Sequence, residues 1–594
     1  MKQIALTLLF LALSLMSLKA QWSILENDTS KKEPYYLLQK FIPQQWNSSN
    51  FATEKDMGWF NDARYGMFIH FGLSTYIGKD LSWGMCYTRK APDKGHGPIA
   101  DSIWTKYPNY FEFKDFNAKK WVDIAQKAGM KYIVTITKHH DGFHLWNTKY
   151  SEFKITNTPF GHDYLKEIAD ACHAAGMKFG IYYSQRDWYH PDYSPVDTSL
   201  IEDIPGAPYY KAKLGVQKVV PGPNHRKYID YQFNVVRELC TNYGKVDIFW
   251  FDACWWGGMF ISEMWESEKL TRMIRTLQPG IVINNRASIP GDFDTPEQKI
   301  GMYQTRPWET CVTLCGSWSW SNTPVKPART LVQMLTSTAC RNGNMLLSWG
   351  PKWEGAFDQE QISRLEEVGA WLKQYGYTIY NTHGGPWYPK AWGGSTYRDN
   401  KAYLHITGDL GKELLLPSIN NKIVGAKCLT GGTVSYDQIG NAVTVDLEKT
   451  DKSQLSTIIE ITFGKQITGI VNQRDNLSKF IDPVYGSIIF QKTNLLSSSG
   501  NIIVDLGQVQ SITGIDVSKS ATNPGKYIVE VSEDGDNWEK VDENNKPFTR
   551  WEVTVAQFSA GIELPGVQAR FVRITHKDGG NAMVQFDRLD VYGR

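Results

Sequence analysis

The chain has 594 residues, with 64 Lys and Arg against 62 Asp and Glu and a formal net charge of +2. That balance excludes a dedicated nucleic-acid binder, which carries a basic excess. With 42% hydrophobic and 21% charged residues it is no disordered polymer either, and at roughly 100–200 residues per domain the length predicts about three to five domains.

Residues 1–20, MKQIALTLLFLALSLMSLKA, read as a signal peptide: Lys2 is the basic start, Ile4 to Leu18 the apolar stretch, and Ala20 a small residue at the cleavage point. The protein is therefore expected to be exported, periplasmic or secreted. No membrane anchor is expected, because no later apolar run approaches the ~20 residues of a spanning helix. Residues 21–52 form an N-terminal segment.

From 53 to 383 a helix-patterned stretch ending in Gly is repeatedly followed by an apolar run. The runs are RYGMFIHFG, MKYIVTITKHH, MKFGIYYSQRDW, KVDIFWFDA, IVINNRA and NMLLSWGP. The glycines before the last five are Gly129, Gly176, Gly244, Gly280 and Gly343, suited to left-handed helix caps. Near-continuous apolar strands belong in a parallel sheet buried on both faces. Alternation of this kind predicts an α/β fold, a (β/α)8-like TIM-type barrel. No G-x-G-x-x-G follows any of the runs, which weighs against a doubly wound sheet.

Beyond residue 384 short alternating runs replace the helical period. They predict a small antiparallel β-sandwich over 384–475 and a second all-β sandwich over 476–594, with EDGDNW as a hairpin turn. The eight Cys are scattered. Cys172, Cys240 and Cys340 read as core thiols, while Cys311 and Cys315 could pair or ligate a metal.

Catalytic groups of such barrels lie at the C-terminal ends of the strands. Those ends carry His70; His139 and His140; Tyr182 and Tyr183 followed by Arg186, Asp187 and Trp188; Trp250 and Asp252; Asn284, Asn285 and Arg286; and Trp349. A loop then carries Glu297 in DFDTPEQ and Glu309 in RPWETC. Two carboxylates facing a sugar, one nucleophile and one acid/base, are what a glycoside hydrolase requires. No G-x-S-x-G elbow, P-loop or H-E-x-x-H pair competes with that reading. Asp252 ends an apolar strand, where a carboxylate is costly unless hydrogen-bonded or used; the plain alternative is an ion pair with Arg286. Tyr182 and Tyr183 point to opposite faces, so one of them reaches the pocket.

RYGMFIHFG, TKHHDGF.LW, FGIYYSQRDW, VDIFWFDA, INNR with DFDTPE, WETC..L..SW and NMLLSWGP, in that order, resemble the glycoside hydrolase family 29 α-L-fucosidases across about residues 40–470. The resemblance implies a retaining exo-α-L-fucosidase acting on fucosylated glycans, with no catalytic metal or cofactor. It implies Asp252 as nucleophile and His70, His139, His140, Tyr182, Trp250 and Arg286 as fucose contacts. Trp318 stands where an aromatic packs on the sugar's C6 methyl, and Trp83, at the rim, is a further substrate-binding residue. Glu297 lies 45 residues after Asp252 and Glu309 lies 57 after. Glu297 is the favoured acid/base and Glu309 the alternative. Many members have an E-W pair where this chain has Ser82-Trp83, which leaves Asp80 as a substitute acidic contact.

The last block resembles the discoidin or coagulation factor 5/8 type C fold, including carbohydrate-binding modules, through DLGQVQSITGIDV, VEVSEDGDNWEKV and ARFVRITHKDGGNAMVQFDRLDVYG. That resemblance implies a sugar-binding module and a structural Ca²⁺, which is frequent in such modules. Two rivals are a non-catalytic glycan-binding protein on the same scaffold and a glycosidase acting on a galactose-like sugar. Of the 22 Trp, only Trp538 and Trp551 lie beyond residue 392, and ten sit at or after strand ends: Trp83, Trp146, Trp188, Trp250, Trp255, Trp256, Trp308, Trp318, Trp320 and Trp349. The aromatic excess is thus expected to serve the barrel and its rim.

Overall fold

The computed structural model describes residues 49–78, 80–86, 97–194, 222–252, 262–298, 300, 306–387, 389, 392–407, 412–439, 442–468, 481–482, 486–497, 500–519, 527–543, 558–576 and 584–593. The expected signal peptide, most of the 21–52 segment, Cys254, Trp255, Trp256 and Trp551 lie outside them. The chain forms two compact units. One holds the described residues up to Thr295 with Arg306–Pro327 and Met345–Lys373; the other holds the rest.

In chain order the barrel elements are α1 (Glu54–Ala63), β1 (Tyr65–Ile69), α2 (Ala118–Lys127), β2 (Tyr132–Lys138), α3 (Tyr164–Ala174), β3 (Lys178–Ser184), α4 (His225–Thr241), β4 (Ile248–Asp252), α5 (Ser267–Leu277), β5 (Val282–Ile283), β6 (Trp308–Thr313), α6 (Ala328–Ala339), β7 (Gly343–Trp349) and α7 (Gln359–Tyr375). Thr53, Asn117 and Asp163 cap α1, α2 and α3, each accepting a backbone N–H three residues on. Gly129, Gly176, Gly244 and Gly280 follow their helices at positive φ. Before β7 the left-handed residue is Asn342, not Gly343, which opens the strand. Asn tolerates that conformation better than other non-glycine residues.

The seven strands share one sheet in the order β5-β4-β3-β2-β1-β7-β6. The ladders from β5 through β7 are parallel, and β1, β2, β4 and β7 are buried throughout. Two isolated parallel bridges, Asn284 to Phe293 and Asp294 to Trp308, link the edge strands β5 and β6. Asp292 N–H donates to Ile283 O at 2.7 Å, and Glu309 N–H donates to Asp294 O at 2.8 Å. The short run Phe293–Asp294 thus serves as an eighth stave, and the barrel architecture read from the sequence holds.

One expectation fails here. The segment carrying Glu309 was read as a loop, whereas Trp308–Thr313 is a strand whose six residues are all buried. Its Glu and Thr residues break the apolar run, yet the interior of this barrel accommodates them.

The tryptophans differ from expectation too. Trp146, Trp188, Trp250, Trp308 and Trp349, placed at the rim by sequence, are fully buried alongside Trp104, Trp121, Trp265, Trp387 and Trp392. Trp83 remains 37% exposed. Cys172, Cys240, Cys311, Cys315, Cys340 and Cys428 are all buried, and none is in a disulfide. The choice left open for Cys311 and Cys315 therefore does not fall on a disulfide.

In the second unit, β8 (Gly393–Arg398), β9 (Lys401–Ile406), β10 (Glu413–Pro417), β11 (Ile423–Cys428), β12 (Ser435–Ile439), β13 (Ala442–Asp446) and β14 (Thr457–Phe463) follow. They build two antiparallel sheets, His383–Gly384 with β8-β9-β14-β11 and β10-β13-β12. Their shared core includes Trp387, Trp392, Leu404, Leu416, Val443, Ile461 and Phe463. A further antiparallel sheet of Ile481–Asp482, Gly486–Ser497, Asn501–Lys519, Tyr527–Ser532, Glu539–Glu543, Phe558–His576 and Val584–Gly593 has its own core around Ile512, Ile515, Val529 and Val572.

Candidate active site

Asp252 is the last residue of β4, level with Ser184 at the end of β3. Trp250 lies two residues before it and so faces the same way. Both oxygens of Asp252 are engaged: Tyr182 donates its hydroxyl to Oδ2 at 2.7 Å, and Arg286 donates to Oδ1 at 3.0 Å. Arg286 is fixed in turn by Thr295, whose Oγ1 accepts from Nε at 2.9 Å and whose carbonyl accepts from a terminal nitrogen at 3.1 Å. Its guanidinium also lies 4.8 Å from the centre of the Trp250 ring. The ion pair with Arg286 that seemed the plain alternative therefore exists, and it aims the carboxylate.

The histidines stand beside it. His139, His140 and Asp252 each offer a ligand atom within 4.8 Å of the others. Such a trio could in principle grip a cation, but both Asp252 oxygens already hold donors, and the fixed Arg286 charge would repel a metal ion. Each histidine is oriented by a hydroxyl: His70 Nδ1 pairs with Ser348 Oγ at 2.9 Å, His140 Nδ1 with Ser184 Oγ at 2.6 Å, and His139 Nδ1 with Ser82 Oγ. Burial keeps all three neutral at ordinary pH, His70 with its pKa pushed down to about 3. Trp83 covers His140 at 5.2 Å, and Trp318 lies 5.5 Å from His70. Tyr182 stacks near-parallel on His139 at 5.9 Å and on Trp250 at 5.7 Å. Tyr183 faces away, under the Lys138 ammonium.

Sequence reasoning missed these supports. Asp80, expected as a substitute acidic contact, is engaged with the neighbouring loop. Its Oδ1 accepts from Ser317 Oγ at 2.8 Å and from the Trp318 N–H at 3.0 Å, so it holds the loop that presents Trp318. Ser82, noted only as a departure, is the residue that orients His139.

Glu309, the alternative acid/base, is fully buried at the second position of β6. Its oxygens accept from Trp250 Nε1 at 3.1 Å and from the Tyr132 hydroxyl. Tyr132 opens β2, at the barrel end opposite Asp252. Gly66 makes room for that ring: a Cβ there would sit 2.3 Å from Tyr132 Cε2. Burial raises the Glu309 pKa to about 7, a value attractive in an acid catalyst. A general acid must also be within hydrogen-bond reach of the leaving oxygen, and the partners Glu309 holds here are Trp250 and Tyr132. Trp250 is 1% exposed, as closely packed as Tyr182 at 1% and His140 at 0%. Glu297 is half-buried, in the segment following Thr295 that belongs to the second unit.

A buried staple supports the rim. Lys138 pairs with Asp187 at 3.2 Å, both essentially unexposed, and donates to Arg186 O at 2.7 Å. Burial pushes Lys138 down; it also opposes the Asp187 charge, but Lys138, His190 and His144 nevertheless hold that carboxyl below its ordinary value. Trp188 N–H donates to His140 O at 2.7 Å, so the β2 and β3 ends are tied directly. Gly142, at φ +78°, lies where any Cβ would sit 2.3 Å from Asp187 Oδ1.

Comparison with known proteins adds two family matches, Alpha-L-fucosidase over residues 37–377 and F5/8 type C domain over residues 492–587. The plasma alpha-L-fucosidase of Homo sapiens is 29% identical over 353 residues, covering 55% of this chain and 69% of its own. Alpha-L-fucosidase isoenzyme 1 from Paenibacillus thiaminolyticus is 33% identical, with a TM-score of 0.59 over 69% of this chain and 99% of its own. The alpha-L-fucosidase of Vibrio sp. strain EJY3 shares the fold at 21% identity, with a TM-score of 0.65 over 92% of this chain and 99% of its own.

Proposed function

The chain belongs to the alpha-L-fucosidase family, and from that premise we propose that it releases terminal α-L-fucosyl groups from glycans by double displacement, with Asp252 as nucleophile and Glu297 as acid/base. The observation that carries the reading is a carboxylate at a barrel strand end, held by two donors, with two neutral histidines within 4.8 Å.

Asp252 attacks C1 while Glu297 gives its proton to the leaving oxygen. Water activated by the resulting Glu297 carboxylate then cleaves the fucosyl–enzyme bond. Tyr182 and Arg286 fix the attacking oxygens, which lowers the cost of reaching an attack geometry. The neutral histidines supply ring nitrogens to the sugar hydroxyls without adding charge beside Asp252. Trp318 gives an apolar surface for the C6 methyl, and Trp83 a rim contact.

No metal or other cofactor takes part in these steps. The barrel (53–383) is the catalytic domain, followed by the sandwich (384–475) and a carbohydrate-binding module (476–594) that would carry a structural Ca²⁺. Residues 1–20 support export to the periplasm or beyond. Among the described residues no helix is long and apolar enough to cross a membrane.

Asp252→Gly, assayed on an aryl α-L-fucoside with and without azide, tests the core of the reading. Turnover should vanish and return with azide as fucosyl azide. A variant retaining near wild-type activity would overturn the nucleophile assignment.

A further inference from the structure

A strip of rings leads outward from the pocket wall. Trp318 stands 5.5 Å from His70, and Trp320 follows two residues later, half-buried. The Lys352 ammonium lies 5.8 Å from the Trp320 ring centre, and the neighbouring Trp353 ring lies 4.7 Å from Tyr76. Tyr76 stacks on Tyr110 at 5.7 Å with only 11° between the planes. The two tyrosines are 45% and 54% exposed. An isolated exposed ring is ordinary; contiguous exposed rings bordered by polar groups mark a binding surface.

The strip is rigid and tied to the site. Tyr76 lies in the turn Leu73–Ile77, six residues beyond His70. Tyr110 ends the turn Tyr107–Tyr110, and the buried Tyr107 backs Tyr76 at 5.2 Å. The preceding helical turn is pinned where Trp104 Nε1 donates to Asp141 Oδ2 at 3.0 Å, one residue beyond His140. Tyrosine rings held in this way lose little freedom on binding. A pyranose offers flat C–H faces edged by hydroxyls, and a tyrosine offers a flat face with a hydroxyl at its edge, so the two match in both respects.

We propose that Tyr76, Tyr110 and Trp353 form a platform beside the fucosyl pocket for the rest of the substrate's sugar chain, so that this enzyme grips extended fucosylated oligosaccharides beyond the fucosyl group itself. The proposal rests on the fucosidase reading and deepens it by naming the substrate class. Both tyrosines are surface residues outside the fucose pocket, so truncating them leaves the fold intact.

The test compares the full-length wild type with Tyr76→Ala/Tyr110→Ala and Tyr76→Phe/Tyr110→Phe. The substrates are 4-nitrophenyl α-L-fucoside, a fucosylated trisaccharide and a fucosylated hexasaccharide. For the alanine variant, KM for the hexasaccharide should rise about 5- to 10-fold with kcat kept. The aryl fucoside parameters should stay within about twofold, and the phenylalanine variant should restore most of the lost affinity. An unchanged hexasaccharide KM, or an equal loss on the aryl fucoside, overturns the platform. A wild type inert on the aryl fucoside would overturn the fucosidase reading instead, and the platform with it.

Discussion

Asp252 and Glu309 are both buried carboxylates on barrel strands, and each holds two hydrogen-bond donors. What separates them is what their donors join. Asp252 is held at a strand end by Tyr182 and Arg286, whereas Glu309 is held by Trp250, two residues before Asp252 on β4, and by Tyr132, which opens β2. One donor set aims a charge at an opening; the other seals a carboxyl inside. Burial and a displaced pKa favour Glu309, whereas its hydrogen bonds to two wall residues fit a structural role, and kinetics decides between it and Glu297.

The sharpest way to break this contrast is to remove each glutamate. Glu297→Ala should lose about 100-fold or more in kcat/KM on fucosides with poor leaving groups, and far less on activated aryl fucosides. Glu309→Gln, which can keep both hydrogen bonds, should stay within about threefold on either substrate, since a neutral amide replaces a group that already favours its proton. Steady-state kinetics on both substrate types checks the pair, and the reverse pattern would exchange their roles.

Next in size is the staple. Asp187→Asn leaves Lys138 charged and buried, a loss of about 3–5 kcal/mol. Chemical denaturation should read that loss, with the β2 and β3 ends loosened. A smaller effect is expected at the hydroxyl supports: Ser82→Ala removes the bonds to His139 and from the Asp141 N–H, and loss of the one that orients His139, about 1 kcal/mol, should cost kcat/KM about fivefold.

The carboxyl and the histidines also differ in how they respond to pH. His70 and His144 have folded pKa values near 3, below the ordinary 6.5, because burial disfavours their charge. The unfolded chain therefore takes up protons first as pH falls. Stability from these residues is complete above about pH 6.5 and is lost as pH drops toward 3. Glu309 behaves oppositely, because its pKa is raised from 4.5 to about 7. Its contribution is complete below about pH 4.5 and is lost as pH rises through 7. Thermal melts from pH 5 to 8 should show Glu309→Gln gaining Tm relative to wild type as pH rises. A constant difference would mean that Glu309 is not buried as described.

Much of the barrel was legible because strands buried on both faces read as near-continuous apolar runs, as IFWFD in β4 does. β6 escaped because Glu309, Thr310 and Thr313 interrupt its run, although all three are buried. Asp252, the histidine pair and Tyr182 were legible from their places at strand ends. Ser82, Ser184, Ser348 and Thr295 were not, since a single hydroxyl leaves no periodic trace and its partner is distant in sequence. The tryptophan excess pointed to the barrel but not to its depth. Placement after a strand end does not distinguish a ring on the rim, such as Trp83, from one packed beneath it, such as Trp188.

The two-residue stave at Phe293–Asp294 has a mechanical consequence. It runs directly into Thr295, the clamp on Arg286 and so on Asp252, and Glu297 follows two residues later. The clamp that aims Asp252 and the Glu297 proposed as proton donor are thus strung on a common tether anchored at the thinnest seam of the ring. Evolution cannot readily retune one without tugging on the other. Insertions that alter what the enzyme accepts should accumulate elsewhere around the mouth.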